Sequence, residues 1–281
     1  RTGMETRKIG SLNVSVVGVG CNNFGRRIDA EASAKVVDAA LDAGINFFDT
    51  ADVYGQGQSE EYLARALGER RSQAIIATKF RFKMDEQGEG AHPDYIRLAV
   101  EASLRRLNTD VIDLYQMHGP DDSVPIADTL GALDDLVKAG KVREIGSSNY
   151  DAAQIRDAEA ASQAANGARF ASVQNYYSML HREPEPDVLN ECERLGLGFL
   201  PFFPLESGLL TGKIRAGQAV PEGTRLSNAE TQQRFVNDAR LATVEKLIAY
   251  AEGKGHTILE LAFSWLLAKP AVASVIAGAT K

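Results

Sequence analysis

Four residues of this 281-residue chain stand out by type and by place. An acid, Asp49, closes the short apolar run Ile45–Asp49, and a phenol, Tyr54, follows it within the run DTADVYG. An amine, Lys79, closes the run Ala74–Lys79, and an imidazole, His118, closes Val111–His118. Together these types can protonate an oxyanion. Addition of hydride to a carbonyl leaves an alkoxide-like oxygen that needs a proton. A tyrosine hydroxyl can deliver one, but its ordinary pKa is about 10. A neighbouring ammonium stabilises the phenolate and lowers that value, and a carboxylate keeps a buried ammonium charged. An imidazole N–H near the same oxygen orients the carbonyl and stabilises developing charge. Taken singly, each residue has a plainer explanation: Asp49 caps a loop, Tyr54 packs, Lys79 is solvated, His118 is structural. None of these explains why all four leave strand-like runs at the same end.

The elements that must position them follow from an alternation. Ser15–Gly20, Ile45–Asp49, Ala74–Lys79, Val111–His118, Val142–Ser147, Phe170–Asn175, Gly198–Phe203 and Val272–Ile276 read as strands. Helical periods fall between them: Ala30–Ala43, Glu60–Arg70, a helix past Pro93, one opened by Pro125 and stopped by Gly140, Asp151–Ala165, one around Pro186–Leu195, then Ala239–Gly253 and Thr257–Ala268. In the helix past Pro93, Ile96, Val100, Leu104 and Leu107 share one face. Strands alternating with helices imply parallel pairing through right-handed crossovers. The expected fold class is α/β, a closed (β/α)₈ TIM barrel, with an open doubly wound sheet as the alternative. The glycine fingerprint G-x-G-x-x-G is missing after the first strand, which counts against that alternative. Thr6–Ile9 and Leu12–Val14 flank Gly10-Ser11 as an N-terminal β-hairpin that would cover the bottom of the barrel. The Gly- and Pro-containing stretch from Pro204 to Val236 reads as a long loop at the C-terminal face, the face on which such barrels carry their active sites.

Composition narrows the classes. A net charge of −7 argues against nucleic acid as a partner, which demands a basic footprint. The two cysteines, Cys21 and Cys192, cannot build a disulfide framework or a Cys-rich metal motif, so no metal site is expected and a reducing, cytoplasmic setting is. No run of 18 apolar residues is present and no leader is evident, so a membrane is not an expected partner. Met4 is a candidate natural start, with Arg1, Thr2 and Gly3 as an artificial addition ahead of it.

The DTADVYG run and the strand-end Lys79 and His118 resemble the signature of the aldo-keto reductases. So do the first strand VGVG with Cys21, IGSSNY, VQNYY and PFFPLESGLLTGK, and the resemblance spans essentially the whole chain. It implies a single barrel domain over residues 1–281 and an NADP-dependent oxidoreductase that interconverts a small carbonyl compound and its alcohol. It implies a catalytic group of Asp49, Tyr54, Lys79 and His118, with Tyr54 as general acid in reduction and base in oxidation. The cofactor would be NADPH/NADP+. Ser148, Asn149 and Gln174 would bind the nicotinamide carboxamide, and Phe202 would stack on the ring. Leu205, Ser207, Leu209, Thr211 and Lys213 would hold the pyrophosphate, with Lys213 as a phosphate partner. Gly20, Cys21, Gly278, Thr280 and Lys281 complete the implied cofactor positions. Taken alone, SSN could equally cap a helix, and GLLTGK lacks the spacer of a P-loop.

The sequence departs from the family after Val275–Lys281, where relatives continue with residues for the adenosine 2′-phosphate and a last helix. The barrel is therefore expected to be incomplete at that end, and NADPH over NADH is implied less firmly than catalysis. Ala277 replaces a usual proline. The alternative function is a cofactor-sensing regulatory subunit resembling channel beta subunits, and a third reading is a hydrolase or isomerase barrel using Asp49 and His118. The four intact rim residues favour the enzyme. The physiological substrate and the oligomeric state are not legible. Asn22, Phe24, Phe80 and Phe203 are candidates for lining the substrate pocket.

Overall fold

The computed structural model describes residues 3–281; Arg1 and Thr2, two of the three residues expected to be an addition ahead of Met4, lie outside the described residues. A hairpin of β1 (Thr6–Ile9) and β2 (Leu12–Ser15) precedes the barrel and pairs antiparallel, with Ile9 opposite Leu12. The barrel strands are β3 (Val17–Gly20), β4 (Phe47–Asp49), β5 (Ile75–Phe80), β6 (Ile112–Met117), β7 (Val142–Ser148), β8 (Phe170–Tyr176), β9 (Gly198–Phe202) and β10 (Val275–Gly278). They pair in parallel in the order β10-β3-β4-β5-β6-β7-β8-β9. The ring closes through a parallel bridge between Phe199 and Val272, where the Phe199 N–H donates to Ala271 O (2.7 Å) and the Ala273 N–H to Phe199 O (2.9 Å). The expected (β/α)₈ barrel with its hairpin is the observed fold.

The helices lie between the strands: α1 (Ala30–Asp42), α2 (Gln58–Leu67), α3 (Pro93–Leu107), α4 (Ile126–Lys138), α5 (Ala152–Ala165) and α6 (Val188–Leu195), then α7 (Ala229–Phe235), α8 (Asp238–Glu252) and α9 (Ile258–Leu267). Local chemistry starts and stops them. Asp151 and Gln154 form a capping box at α5, and Thr257 and Glu260 do so at α9. The predicted stripe of α3, Ile96, Val100, Leu104 and Leu107, is buried against the strands.

Alternation along the strands sorts the core into two layers. Phe47, Ala77, Leu114 and Leu200 point into the barrel and pack on Ile9, Leu12 and Val14 of the hairpin, which plugs the lower mouth. Phe48, Ile76, Phe80 and Tyr115 point outward under the helices. Each such side chain, fully buried, contributes about 1.5–3 kcal/mol. A third cluster, including Leu209, Leu210, Phe235 and Ile258, supports the long segment after β9.

Several expected boundaries shift by a residue or more. Ser15 belongs to the hairpin rather than the barrel, and the last strand begins at Val275 while Val272 serves only the closing bridge. The helix expected over Glu60–Arg70 stops at Leu67, because Gly68 takes a positive φ and the chain continues as a 3₁₀ turn. The segment after β9 contains α7, whose start is fixed by the Asn228 side chain accepting from the Thr231 N–H. No helix among the described residues is long and apolar enough to cross a membrane.

Candidate active site

The inward register of the strands carries polar residues to the upper rim. Phe47 and Ala77 lie in the inner core, so two residues later Asp49 and Lys79 face inward too, one level higher. On β6 the same reasoning runs from Leu114 to Gln116 and on to His118 just past the strand. Tyr54 arrives differently, on the turn between β4 and α2. Gly55, Gln56 and Gly57 all adopt positive φ there. At Gly55 a Cβ would meet the Phe24 carbonyl at 3.1 Å, so glycine lets this turn lie against the β3–α1 loop.

The four side chains converge. Lys79, fully buried, donates from Nζ to Asp49 Oδ2 (2.7 Å), to the Thr50 carbonyl (2.8 Å) and to Tyr54 Oη (3.4 Å). Its three N–H bonds are thus all used. Asp49 Oδ1 accepts from Gln116 Nε2 (3.0 Å) and Gln174 Nε2 (3.1 Å). The His118 ring stands edge-on to Tyr54, with centroids 5.9 Å apart, and Phe82 covers it at 4.7 Å. The His118 Nδ1 is buried with no hydrogen-bond partner among the described residues.

Electrostatics refine the sequence expectation. Burial, the largest influence on Lys79, favours its neutral form, but Asp49 and Tyr54 outweigh it and hold the ammonium above its usual range. Burial pushes the Tyr54 phenol above its ordinary value, and Lys79 draws it back only in part. The lowered tyrosine pKa expected from the lysine alone is therefore not what the folded site produces, because desolvation is the stronger effect. His118 is pushed down to about 3 by burial and by the charges of Lys79 and Arg81, so it is a neutral imidazole at any ordinary pH.

Asp49, Tyr54 and His118, with Lys79 buried beneath them, form the floor of a cleft of about 1030 Å³, at the upper end of the size range for small-molecule sites. Gly20, Ser148, Asn149, Gln174, Phe202, Leu205, Ser207, Thr211, Lys213, Gly278, Thr280 and Lys281 all line it, together with Asp49, Tyr54 and His118. Four of the expected residues keep their side chains out of the cleft. Cys21 is fully buried beneath the rim, where its N–H bonds to the Asp49 carbonyl (2.8 Å). Leu209 is fully buried in the cluster under the segment, because the turn at Ser207 and Gly208 directs it inward. Phe80 and Phe24 are fully buried outside the barrel lumen, while Asn22 and Phe203 do line the cleft. Phe80 stacks on Tyr115 at 4.9 Å, and the aromatic residue beside His118 is instead Phe82.

The lining suits a nicotinamide nucleotide. Both N–H bonds of the Gln174 amide are used, on Asp49 and on Gln116 Oε1 (3.1 Å). Those of Asn149 go to the His118 carbonyl (3.0 Å) and Ser148 Oγ (3.3 Å), and the Ser148 hydroxyl donates to the Gln174 carbonyl (2.7 Å). What this group can still offer a ligand is acceptor oxygens, which match the NH₂ of a carboxamide. At the other end Arg26, Arg27, Lys213, Arg225 and Lys281 line the cleft. Arg225 is held by Asn23 Oδ1 (2.9 Å), and burial and the like charges of Arg27 and Arg26 lower its pKa. Such a crowd of cations suits phosphate. Among the described residues no group of His, Cys, Asp and Glu could hold a metal ion.

Sequence reasoning missed Gln116, although its period-two relation to His118 was readable. It also missed Arg26, Arg27 and Arg225, which come together only when the segment after β9 folds back over the β3–α1 loop.

Known proteins share this arrangement. The sequence pattern described as the Aldo/keto reductase family matches residues 16–281. An NADP(+) aldo-keto reductase of Schizosaccharomyces pombe is 35% identical over 278 residues, 95% of this chain and 80% of its own length. A probable voltage-gated potassium channel subunit beta of Arabidopsis thaliana is 33% identical, covering 99% of this chain and 88% of its own. In structure, a glycerol dehydrogenase of Gluconobacter oxydans superposes with a TM-score of 0.84 at 32% identity, over 99% of this chain and 86% of that one. Agreement at once in pattern, identity and barrel geometry makes this chain a member of the aldo/keto reductase family.

Proposed function

We propose that this protein is an NADPH-dependent oxidoreductase that reduces an aldehyde or ketone to its alcohol, and runs the reverse oxidation, with Tyr54 as the general acid and base. The observation that carries the reading is the single lysine: Lys79 bridges Asp49 and Tyr54 within hydrogen-bond reach at the floor of the cleft. When bound, the reduced nicotinamide supplies the hydride. The chain supplies everything else. His118, kept neutral, and the Tyr54 hydroxyl hold the carbonyl oxygen. The Tyr54 proton moves to that oxygen as it gains charge, giving the alcohol. Lys79 stabilises the phenolate left behind, Asp49 keeps Lys79 charged, and Gln116 and Gln174 hold Asp49 in place.

A phenol raised by burial is protonated at neutral pH, which suits reduction. Oxidation requires the phenolate, so its rate should climb into the alkaline range while reduction falls. Steady-state pH profiles in both directions test this, and parallel profiles would remove Tyr54 as the shared group.

Preference for NADPH over NADH is supported by Arg225, Thr280 and Lys281 at the cationic end and by the name of the Schizosaccharomyces pombe relative. Equal kcat/KM for the two cofactors would overturn it. A cofactor-sensing subunit remains the second reading, carried by the Arabidopsis relative. Absorbance-detected NADPH consumption over a panel of aldehydes and ketones separates the two: turnover supports the enzyme, and tight NADPH binding with no turnover supports the subunit. A reducing, cytoplasmic setting is part of the same proposal, in keeping with two free, buried thiols.

A further inference from the structure

The segment after β9 holds a backbone that its sequence does not favour. Phe203, Glu206 and Ser207 all adopt positive φ (50°, 53° and 57°), and none is glycine. Non-glycine residues persist there only when their surroundings over-determine the conformation. Three side chains do so through one carboxylate. Glu206 is fully buried and faces away from the cleft, whereas its neighbours Leu205 and Ser207 line it. Its Oε2 accepts from Tyr176 Oη (2.7 Å) and Arg240 Nη1 (2.7 Å), and its Oε1 from the Ser178 hydroxyl. Arg240 also donates to the Phe235 carbonyl (3.2 Å). Donors from β8, from the turn after it and from α8 therefore meet on one residue of the loop. Tyr176 in turn stacks near-parallel to Phe202, 5.8 Å between centroids.

We infer that Glu206 is a positioning residue for cofactor binding: its carboxylate, clamped by Tyr176, Ser178 and Arg240, sets the left-handed turn that presents Leu205, Ser207 and Thr211 to the cleft. This rests on the reading of the cleft as the site of a nicotinamide nucleotide. It assigns Glu206 no contact with substrate or reacting atoms. A loop already held in its binding shape loses less freedom when the ligand arrives, and releasing the clamp restores that cost. The consequence is specific: affinity for cofactor falls while the chemical step, carried by Asp49, Tyr54, Lys79 and His118, does not change.

The test compares the wild-type protein with Glu206→Gln and Ser178→Ala. NADPH is titrated by protein fluorescence, and KM for NADPH and kcat are measured with an aldehyde the wild type turns over. Losing the charge should raise Kd and KM for NADPH about tenfold or more, and losing one hydroxyl donor about fivefold, as expected for hydrogen bonds to a charged group and of ordinary strength. At saturating NADPH kcat should stay near the wild-type value in both. If Glu206→Gln does not fold, Ser178→Ala carries the test by itself. Unchanged NADPH affinity in the folded variants overturns the inference and leaves the cleft reading standing. A kcat that falls in step with affinity also overturns it. A wild-type protein that fails to bind NADPH overturns the cleft reading, and this inference with it.

Discussion

Two buried acid–cation pairs lie back to back across β5. On the inner side Asp49 meets Lys79 at 2.7 Å; on the outer side Glu60 meets Arg106 at 2.6 Å. Both acids are almost wholly buried and both are saturated with donors, Asp49 by Lys79, Gln116 and Gln174, and Glu60 by Thr78 (2.6 Å), Ser103 (2.8 Å) and Arg106. Thr78 and Lys79 are neighbours in sequence, yet they serve opposite networks because adjacent strand side chains face opposite sides. In charge and geometry the pairs are alike. They differ in what stands beyond them. Lys79 has a third donor directed at a phenol on the cleft floor, whereas Thr78 and Ser103 are enclosed with Glu60 between α2, α3 and β5 and Arg106 is partly exposed to solvent. A buried ion pair is thus no site by itself; a site needs the inward register and a reactive group within its reach.

The sharpest way to break this comparison is to remove the reactive group. Tyr54→Phe keeps the ring and deletes the proton, and kcat for carbonyl reduction should fall by about 10²–10⁴. Lys79→Met should cripple turnover as well, and the double variant should be little worse than either, since one unit is disabled. Near-normal kcat in Tyr54→Phe, where chemistry limits the rate, would eliminate Tyr54 as the acid.

The outer pair should respond in the opposite currency. Glu60→Gln leaves Arg106 partly buried without its anion, and breaking such a pair costs about 3–5 kcal/mol of folding stability. Denaturant unfolding should show the loss, while kcat of the folded fraction stays close to wild type. A kcat loss like that of Lys79→Met would erase the distinction between the two networks.

A smaller effect is expected at the platform beside the inner network. Phe202→Ala should weaken NADPH binding by about 1–3 kcal/mol, the range of base stacking on an aromatic side chain. Fluorescence titration reads this directly, and unchanged affinity would mean that Phe202 is not the platform.

A further effect, read in stability against pH, concerns Asp52, between the two networks. Burial, with the charge of Glu60, raises its pKa to about 7 against the lowering pull of the Val53 N–H, Arg106 and Lys79, and its Oδ2 has no hydrogen-bond partner among the described residues. A carboxyl raised on folding contributes stability that is fully present below its unfolded pKa of about 3.9. That contribution is lost as pH rises through about 7. Asp52→Asn should therefore flatten the pH dependence of Tm across this window and make the protein relatively more stable above it. An unaltered profile would assign the slope to other groups.

Much of the site could be read from one dimension. A strand-end acid, amine and imidazole with a phenol five residues after the acid have a shared destination once the strands are parallel and the period is two. The same period pointed to Gln116 and went unused, because a glutamine inside an apolar run reads as a stray polar residue until its acid partner is known. Phe80 shows the opposite error: it follows Lys79 directly, so alternation turns it outward onto Tyr115, and the residue beside His118 is Phe82. Leu209 and Cys21 fit a pattern of positions, but the folded chain buries their side chains.

By itself, then, the sequence determined the alternating elements, their parallel closure and the identity of the rim residues, since these depend on local period and on residue type. Only the tertiary structure decided the state of the tyrosine, the grouping of Arg225 with Arg26 and Arg27, and the clamp on Glu206. Each of these depends on through-space quantities, namely depth of burial, like charges brought together from distant segments, and donors converging from β8, its following turn and α8. No spacing along the chain encodes such distances.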